Sequence, residues 1–126
     1  MLYKNIYKKS MRYAIGMTVG DSCRGIDAAL VRIKGSGVSS VIKIVKTKSF
    51  PFAPGMRNRL LVPRKDAREV GLLNFEVGEL LAEAAKEMQR IAQKELVEAD
   101  FVASAGHTIA HCPPRGYDVS HGTLQV

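Results

Sequence analysis

The chain has 126 residues, 46% apolar and 25% charged, with 19 Lys and Arg against 12 Asp and Glu for a net charge of +7. That length and balance suit one globular domain with its own core. They exclude a disordered, collagen-like or disulfide-framework chain, and leave no room for a two-lobed enzyme. No apolar run approaches the length of a membrane span. The positive balance suggests an anionic partner without choosing among nucleic acid, nucleotide, phosphate and membrane surface. Two cysteines, Cys23 and Cys112, fit a reduced thiol pair and a cytoplasmic setting.

Residues 1–10, with Lys4, Lys8 and Lys9, read as a loose basic extension. They are not a signal peptide, because the apolar stretch that follows is broken by Gly16, Thr18 and Gly20. From Met11 a single domain is expected, opening on three strands: Tyr13 to Val19, Ile26 to Ile33 and Val38 to Lys48. The last of these alternates, with Val41, Lys43, Val45 and Thr47 on one side and Ile42, Ile44, Lys46 and Lys48 on the other. Lys34-Gly35-Ser36-Gly37 is a turn signal between adjacent antiparallel strands, so the opening reads as a β-meander. Pro51 and Pro54 break the third strand, and Met56 to Val62 forms a short helix. Arg64 to Arg68 reads as a polar loop or helix start. Leu73, Val77, Leu80, Leu81, Ala84, Met88 and Ile91 then recur at spacings of three and four, which predicts an amphipathic helix with Asn74 near its start. Asp100 to Ser104 reads as a short buried strand, and Thr123 to Val126 as the start of another. An unfinished strand there would leave unpaired backbone groups and favour association.

The stretch that carries chemistry runs from Gly16 to Asp27. Two strands flank a loop holding Gly20, Ser22 and Gly25, where glycines let backbone N–H groups approach a ligand and form an anion cradle. Asp21 and Asp27 could hold a divalent cation, directly or through water, and Arg24 could pair with a phosphate. Taken alone, the pattern is better read as a glycine-bearing hairpin with solvated charges. It is not a Walker A loop, since no Gly-Lys-Ser/Thr ending follows, nor a dinucleotide fingerprint, since no helix follows.

Gly16, Gly20, Ser22, Gly25 and Asp27 match, without a gap, the pattern G-x-M-S-G-T-S-x-D-G-x-D, and here the chain resembles the anhydro-N-acetylmuramic acid kinase family. Four further stretches fall in the same order. Ser49-Phe50-Pro51-Phe52 is similar to the segment after the family's third strand, and residues 74–84 to its long helix. Residues 105–113 resemble H-G-Q-T-x-x-H-x-P, and residues 123–126 resemble T-L-Q-I. The resemblance covers residues 11–126 and implies an α/β fold: an RNase H-like half of the actin, hexokinase and heat-shock ATPase superfold. It implies ATP and Mg²⁺ as cofactors and an amino sugar as substrate, opened and phosphorylated in cell-wall recycling. Gly20, Asp21, Ser22, Cys23, Arg24, Gly25, Ile26 and Asp27 would form the phosphate hairpin, with Asp27 and Asp21 towards the metal. Gly106, His107, Thr108 and His111 would face the sugar.

The departures are specific. The family's Thr is Asp21, its Asp is Arg24, its Ser after Met is Val19, and in the second motif its His is Ala105 and its Gln is His107. The family's general base and second lobe are expected beyond Val126, so the chain alone is expected to be incomplete as a kinase or to need a second polypeptide. The alternatives are a non-catalytic module that binds nucleotide or sugar, or assembles with itself, and, further off, a basic nucleic-acid-binding protein using Lys43, Lys46, Lys48, Arg57, Arg59, Arg64, Lys65 and Arg68. A zinc site from His107, His111 and Cys112 would need a helix, which Gly106, Pro113 and Pro114 oppose.

Overall fold

Three long strands follow one another in the order the alternation predicts: β1 (Met11–Val19), β2 (Gly25–Lys34) and β3 (Val41–Pro51), preceded by the short helix α1 (Tyr3–Ile6). The structure is a computed structural model in which residues 3–62, 66–111 and 123–126 are described. β1 and β2 are antiparallel from Met11 opposite Lys34 to Val19 opposite Ile26. β2 and β3 are antiparallel from Gly25 opposite Pro51 to Lys34 opposite Val41. The expected meander is therefore present. After it come α2 (Met56–Leu61), α3 (Ala67–Lys94), β4 (Phe101–Ser104), β5 (Thr108–His111) and β6 (Thr123–Gln125). β4 lies parallel to β1, giving a four-stranded mixed sheet in the order β3-β2-β1-β4, and β5 and β6 form a separate antiparallel pair. A parallel neighbour requires a crossover connection, and α2 and α3 supply it.

The core lies between α3 and one face of the sheet. Ile15, Met17 and Val19 stand opposite Leu30, Ala28 and Ile26 and share a face. All six are buried, in one cluster with Leu73, Val77, Ala84, Met88 and Ala92 of α3. The helical stripe read from spacing is this contact, and Ala92 extends it by a turn. At typical values, each large apolar side chain buried here contributes about 1.5–3 kcal/mol.

Several boundaries differ from expectation. β3 begins at Val41, because Gly37–Ser39 makes a 3₁₀ turn, and runs through Pro51 instead of stopping before it. Proline is tolerated there because it is the last residue of an edge strand, where a missing N–H costs the ladder little. The strict alternation of β3 is interrupted: Leu30 pairs with Lys46 but Val31 with Ile44, so Val45 is the extra residue of a bulge. α3 begins at Ala67, inside the 64–68 stretch read as a polar loop or helix start, and seven residues before Asn74. Its N-cap is Asp66, whose side chain accepts a hydrogen bond from the Glu69 amide at 2.8 Å. Arg64 and Lys65 lie outside the described residues. β4 is exposed along its length, not buried, because it is an edge strand. β6 is paired with β5 along one side, so that strand is not left wholly without a partner.

The residues expected to form a loose extension carry α1, and their last two are fastened to the sheet. The Lys9 ammonium donates to Oδ1 of Asp100, and the Gly35 amide donates to the Ser10 carbonyl at 3.1 Å.

Candidate functional site

The hairpin between β1 and β2 is closed by the Cys23 amide, which donates to the Gly20 carbonyl at 2.8 Å across Asp21 and Ser22. Cys23 sits at φ 50°, a left-handed conformation unusual for a residue with a side chain. Burial holds it there. Cys23 is 1% exposed, and its thiol lies 3.8 Å from Nδ1 and 3.9 Å from Nε2 of His107. His107 is itself buried at 9% exposure. Near-equal distances to the two ring nitrogens place the sulfur off both lone-pair axes, so this is packing with weak polar character rather than a strong directional bond.

Two further contacts fix the hairpin from outside. Nε of Arg57, on α2, donates to the Ser22 carbonyl at 2.9 Å, and the Phe52 amide donates to the Arg24 carbonyl at 2.9 Å. At the start of β2, Gly25 is needed for close approach, because a Cβ there would overlap the Phe50 carbonyl and the Pro51 Cα. Without it β3 could not come against this end of the hairpin.

The second motif reaches the hairpin from β4. The Ala105 amide donates to Met17 at 3.0 Å, and the Val19 amide donates to the Gly106 carbonyl at 3.3 Å. Gly106 has φ 63°, and a Cβ on it would overlap the Val126 carbonyl, which accepts from the His107 amide at 2.6 Å. The two motifs, some 80 residues apart in the chain, are thus joined by main-chain hydrogen bonds. Between them and α2 lies a cleft of about 540 Å³, to which Asp21, Cys23, Gly106, His107, Thr108 and Leu60 contribute.

Asp27 faces elsewhere. Its neighbours Ile26 and Ala28 face α3, so alternation turns Asp27 to the opposite face, in register with Thr18 on β1 and Ser49 on β3. The Ser49 hydroxyl donates to Oδ1 of Asp27 at 2.5 Å. Gly20, Ser22, Arg24, Asp27 and Ser49 line a second hollow of about 390 Å³. A Cβ placed on Gly20 would stand 3.7 Å from Oδ2 of Asp27 and 4.0 Å from Oγ of Ser22. The bare backbone at Gly20 thus leaves a cradle flanked by a carboxylate and a hydroxyl. Asp21 and Asp27, read together from sequence as cation holders, line different hollows. Among the described residues no group of three or more His, Cys, Asp and Glu is arranged to hold a metal ion. His111 lies in β5, and Cys112 lies outside the described residues.

Two members of this region carry no site signal in the sequence: Arg57 reads only as part of a general basic face, and Ser49 only as part of a resembling segment. Cys23 and His107 are both candidates from the sequence, but their contact has no local signal. Three residues of the expected basic face are paired with carboxylates. Arg59 meets Glu69 at 3.0 Å and Glu76 at 2.5 Å, which raises its pKa through hydrogen bonds to Glu76 and Glu69, while Lys48 pairs with Glu87 and Lys46 with Glu95.

A meander, a helical crossover and a parallel fourth strand, with a glycine hairpin at one end of the first two strands, form a mixed α/β sheet of the kind found in the actin and hexokinase class of ATPases. The profile of the family described as anhydro-N-acetylmuramic acid kinase matches residues 11–126, and the chain belongs to that family. It is 36% identical over 118 residues to an anhydro-N-acetylmuramic acid kinase of Bacillus cereus (strain G9842), covering 90% of this chain and 31% of that relative. It is 34% identical over 118 residues to one of Bacillus thuringiensis subsp. konkukian (strain 97-27), with the same coverage. The chain therefore spans about a third of the length of these relatives. No helix among the described residues is long and apolar enough to cross a membrane.

Proposed function

We propose that the chain supplies the phosphate-binding hairpin and part of the sugar-facing wall of an ATP-dependent kinase acting on 1,6-anhydro-N-acetylmuramic acid. The observation that carries this reading is the cradle over Gly20, where Oδ2 of Asp27 and Oγ of Ser22 flank space that a side chain would fill. These groups suit a magnesium nucleotide. Ser22 would donate to a phosphate oxygen, Arg24 would offset its charge, and the Asp27 carboxylate would suit a hydrated Mg²⁺, a cation that prefers oxygen ligands and keeps several waters. When bound, the cation would neutralise charge developing on the phosphates.

The chain's own residues hold this geometry. The Cys23 amide closes the turn, Arg57 tethers its tip, and Gly25 admits β3 against its base. Gly106, His107 and Thr108 line the adjoining cleft, and we assign them, with His111 of the same motif, to the sugar side. Gly20, Ser22 and Arg24 line the Asp27 hollow and not that cleft, so the phosphates are assigned to the Asp27 side of the hairpin.

Calorimetric titration of Mg-ATP into the purified chain tests the reading. The unaltered chain is expected to bind. Gly20→Val, which fills the cradle, is expected to abolish binding without lowering the melting temperature by more than a few degrees. Absence of binding by the unaltered chain, or unchanged binding by the variant, overturns the assignment.

A further inference from the structure

We propose that Ser49 is a positioning residue for Asp27, and that it gives the hairpin its preference for a magnesium-complexed nucleotide over bare phosphate. The inference rests on the hairpin reading above and adds a residue and a selectivity to it.

Asp27 and Ser49 are directly opposed across β2 and β3, and the Ser49 hydroxyl donates to Oδ1 at 2.5 Å, the short range of a bond to an ionised acceptor. The opposition is enforced two residues away, where Gly25 lets the Phe50 carbonyl close on the hairpin base. With Oδ1 held towards β3, the other oxygen is turned over Gly20, 3.7 Å from where a Cβ would stand. The terminal torsion of an aspartate is broad and roughly two-fold, so without this bond nothing on β3 would select that orientation. An ionised carboxylate only accepts hydrogen bonds and carries the same sign of charge as a phosphate. Turned over a phosphate cradle it opposes a bare anion, and it favours binding only when a hydrated cation lies between. Ser49 thus converts a charge of the wrong sign for phosphate into a determinant of the metal complex.

The test is calorimetry on the full chain with Mg-ATP and, separately, with ATP in excess EDTA. The unaltered chain is expected to prefer Mg-ATP. Ser49→Ala is expected to bind Mg-ATP about tenfold more weakly, the scale of one lost hydrogen bond to a charged group, and to bind ATP in EDTA no more weakly than the unaltered chain. Ser49→Thr, which keeps the hydroxyl, is expected to restore the preference. Ser49→Val, better suited to a strand than Ala, serves as a second variant without the hydroxyl, and melting temperatures verify folding of all three. Unchanged Mg-ATP binding in both hydroxyl-free variants overturns the proposal, as does equal weakening with and without Mg²⁺. If the unaltered chain binds no nucleotide, the hairpin reading falls and this inference with it.

Discussion

Single positions in this site are constrained by backbone as much as by side chain. Gly106 and Gly20 illustrate two different reasons for glycine. At Gly106 the backbone is left-handed, φ 63°, and a Cβ would overlap the Val126 carbonyl, whose hydrogen bond with the His107 amide joins β6 to the β4–β5 loop. At Gly20 no positive φ is involved, and a Cβ would make only ordinary contacts at 3.7 and 4.0 Å. Gly106→Ala is therefore expected to cost about 1–2 kcal/mol from the backbone conformation alone. It should also raise amide hydrogen exchange at His107 and Val126. Gly20→Ala should leave the urea midpoint nearly unchanged. Equal effects of the two substitutions would refute the distinction. Cys23 is the complementary case: a side-chain-bearing residue in the left-handed region, retained because its thiol is buried against His107.

Among the elements, α3 has a start set by one side chain. Asp66 caps the Glu69 amide, and Glu69 in turn meets Arg59 of α2, so the first turn is tied both to its own cap and to the preceding helix. Removing the cap in Asp66→Ala is expected to lower stability by about 1 kcal/mol, with Asp66→Ser retaining most of it. A urea midpoint read by far-ultraviolet circular dichroism measures both, and no loss in the alanine variant would show that tertiary contacts alone define the helix start. The cap was in principle legible. Asp66 followed by Glu69 is a start signal, and residues 64–68 read as a polar loop or helix start, while the apolar stripe at Leu73 draws the expected start towards Asn74. The order and pairing of the meander were legible, because alternation and the Lys34–Gly37 turn report local geometry. Two features were not. The Val45 bulge depends on how β3 meets β2, and the exposure of β4 depends on what covers the edge of the sheet; neither is a property of the strand's own residues. In the site, glycine and hydroxyl types marked the hairpin. Its clamps, Arg57, Ser49 and His107, come from segments 35, 22 and 84 residues away from their partners Ser22, Asp27 and Cys23, and a local pattern carries no such information.

Across the whole molecule one carboxylate joins parts of the chain that are distant in sequence. Asp100 accepts from the Lys9 ammonium through Oδ1 and from the Tyr13 amide through Oδ2 at 2.9 Å, tying residues beside α1, the start of β1 and the entry to β4 at a single point. Its side chain is only 8% exposed. Burial alone would push its pKa up, but the hydrogen bonds from Lys9 and Tyr13 outweigh it and hold the carboxyl below its ordinary 3.8. A group with a depressed folded pKa stabilises the fold at pH values above its unfolded pKa and loses that contribution as the pH falls through the folded one. The tie is therefore expected to be complete at neutral pH, to weaken below about pH 4 and to vanish at lower pH. Asp100→Asn keeps an oxygen for the Tyr13 amide but removes the charge that meets Lys9. Its melting temperature should fall below that of the unaltered chain at pH 7, and the gap should close as both are acidified below pH 4. A gap that stayed constant down to pH 2 would mean that the loss comes from packing at Asp100 rather than from its charge. It would also mean that the basic segment before β1 is held by something other than this ion pair.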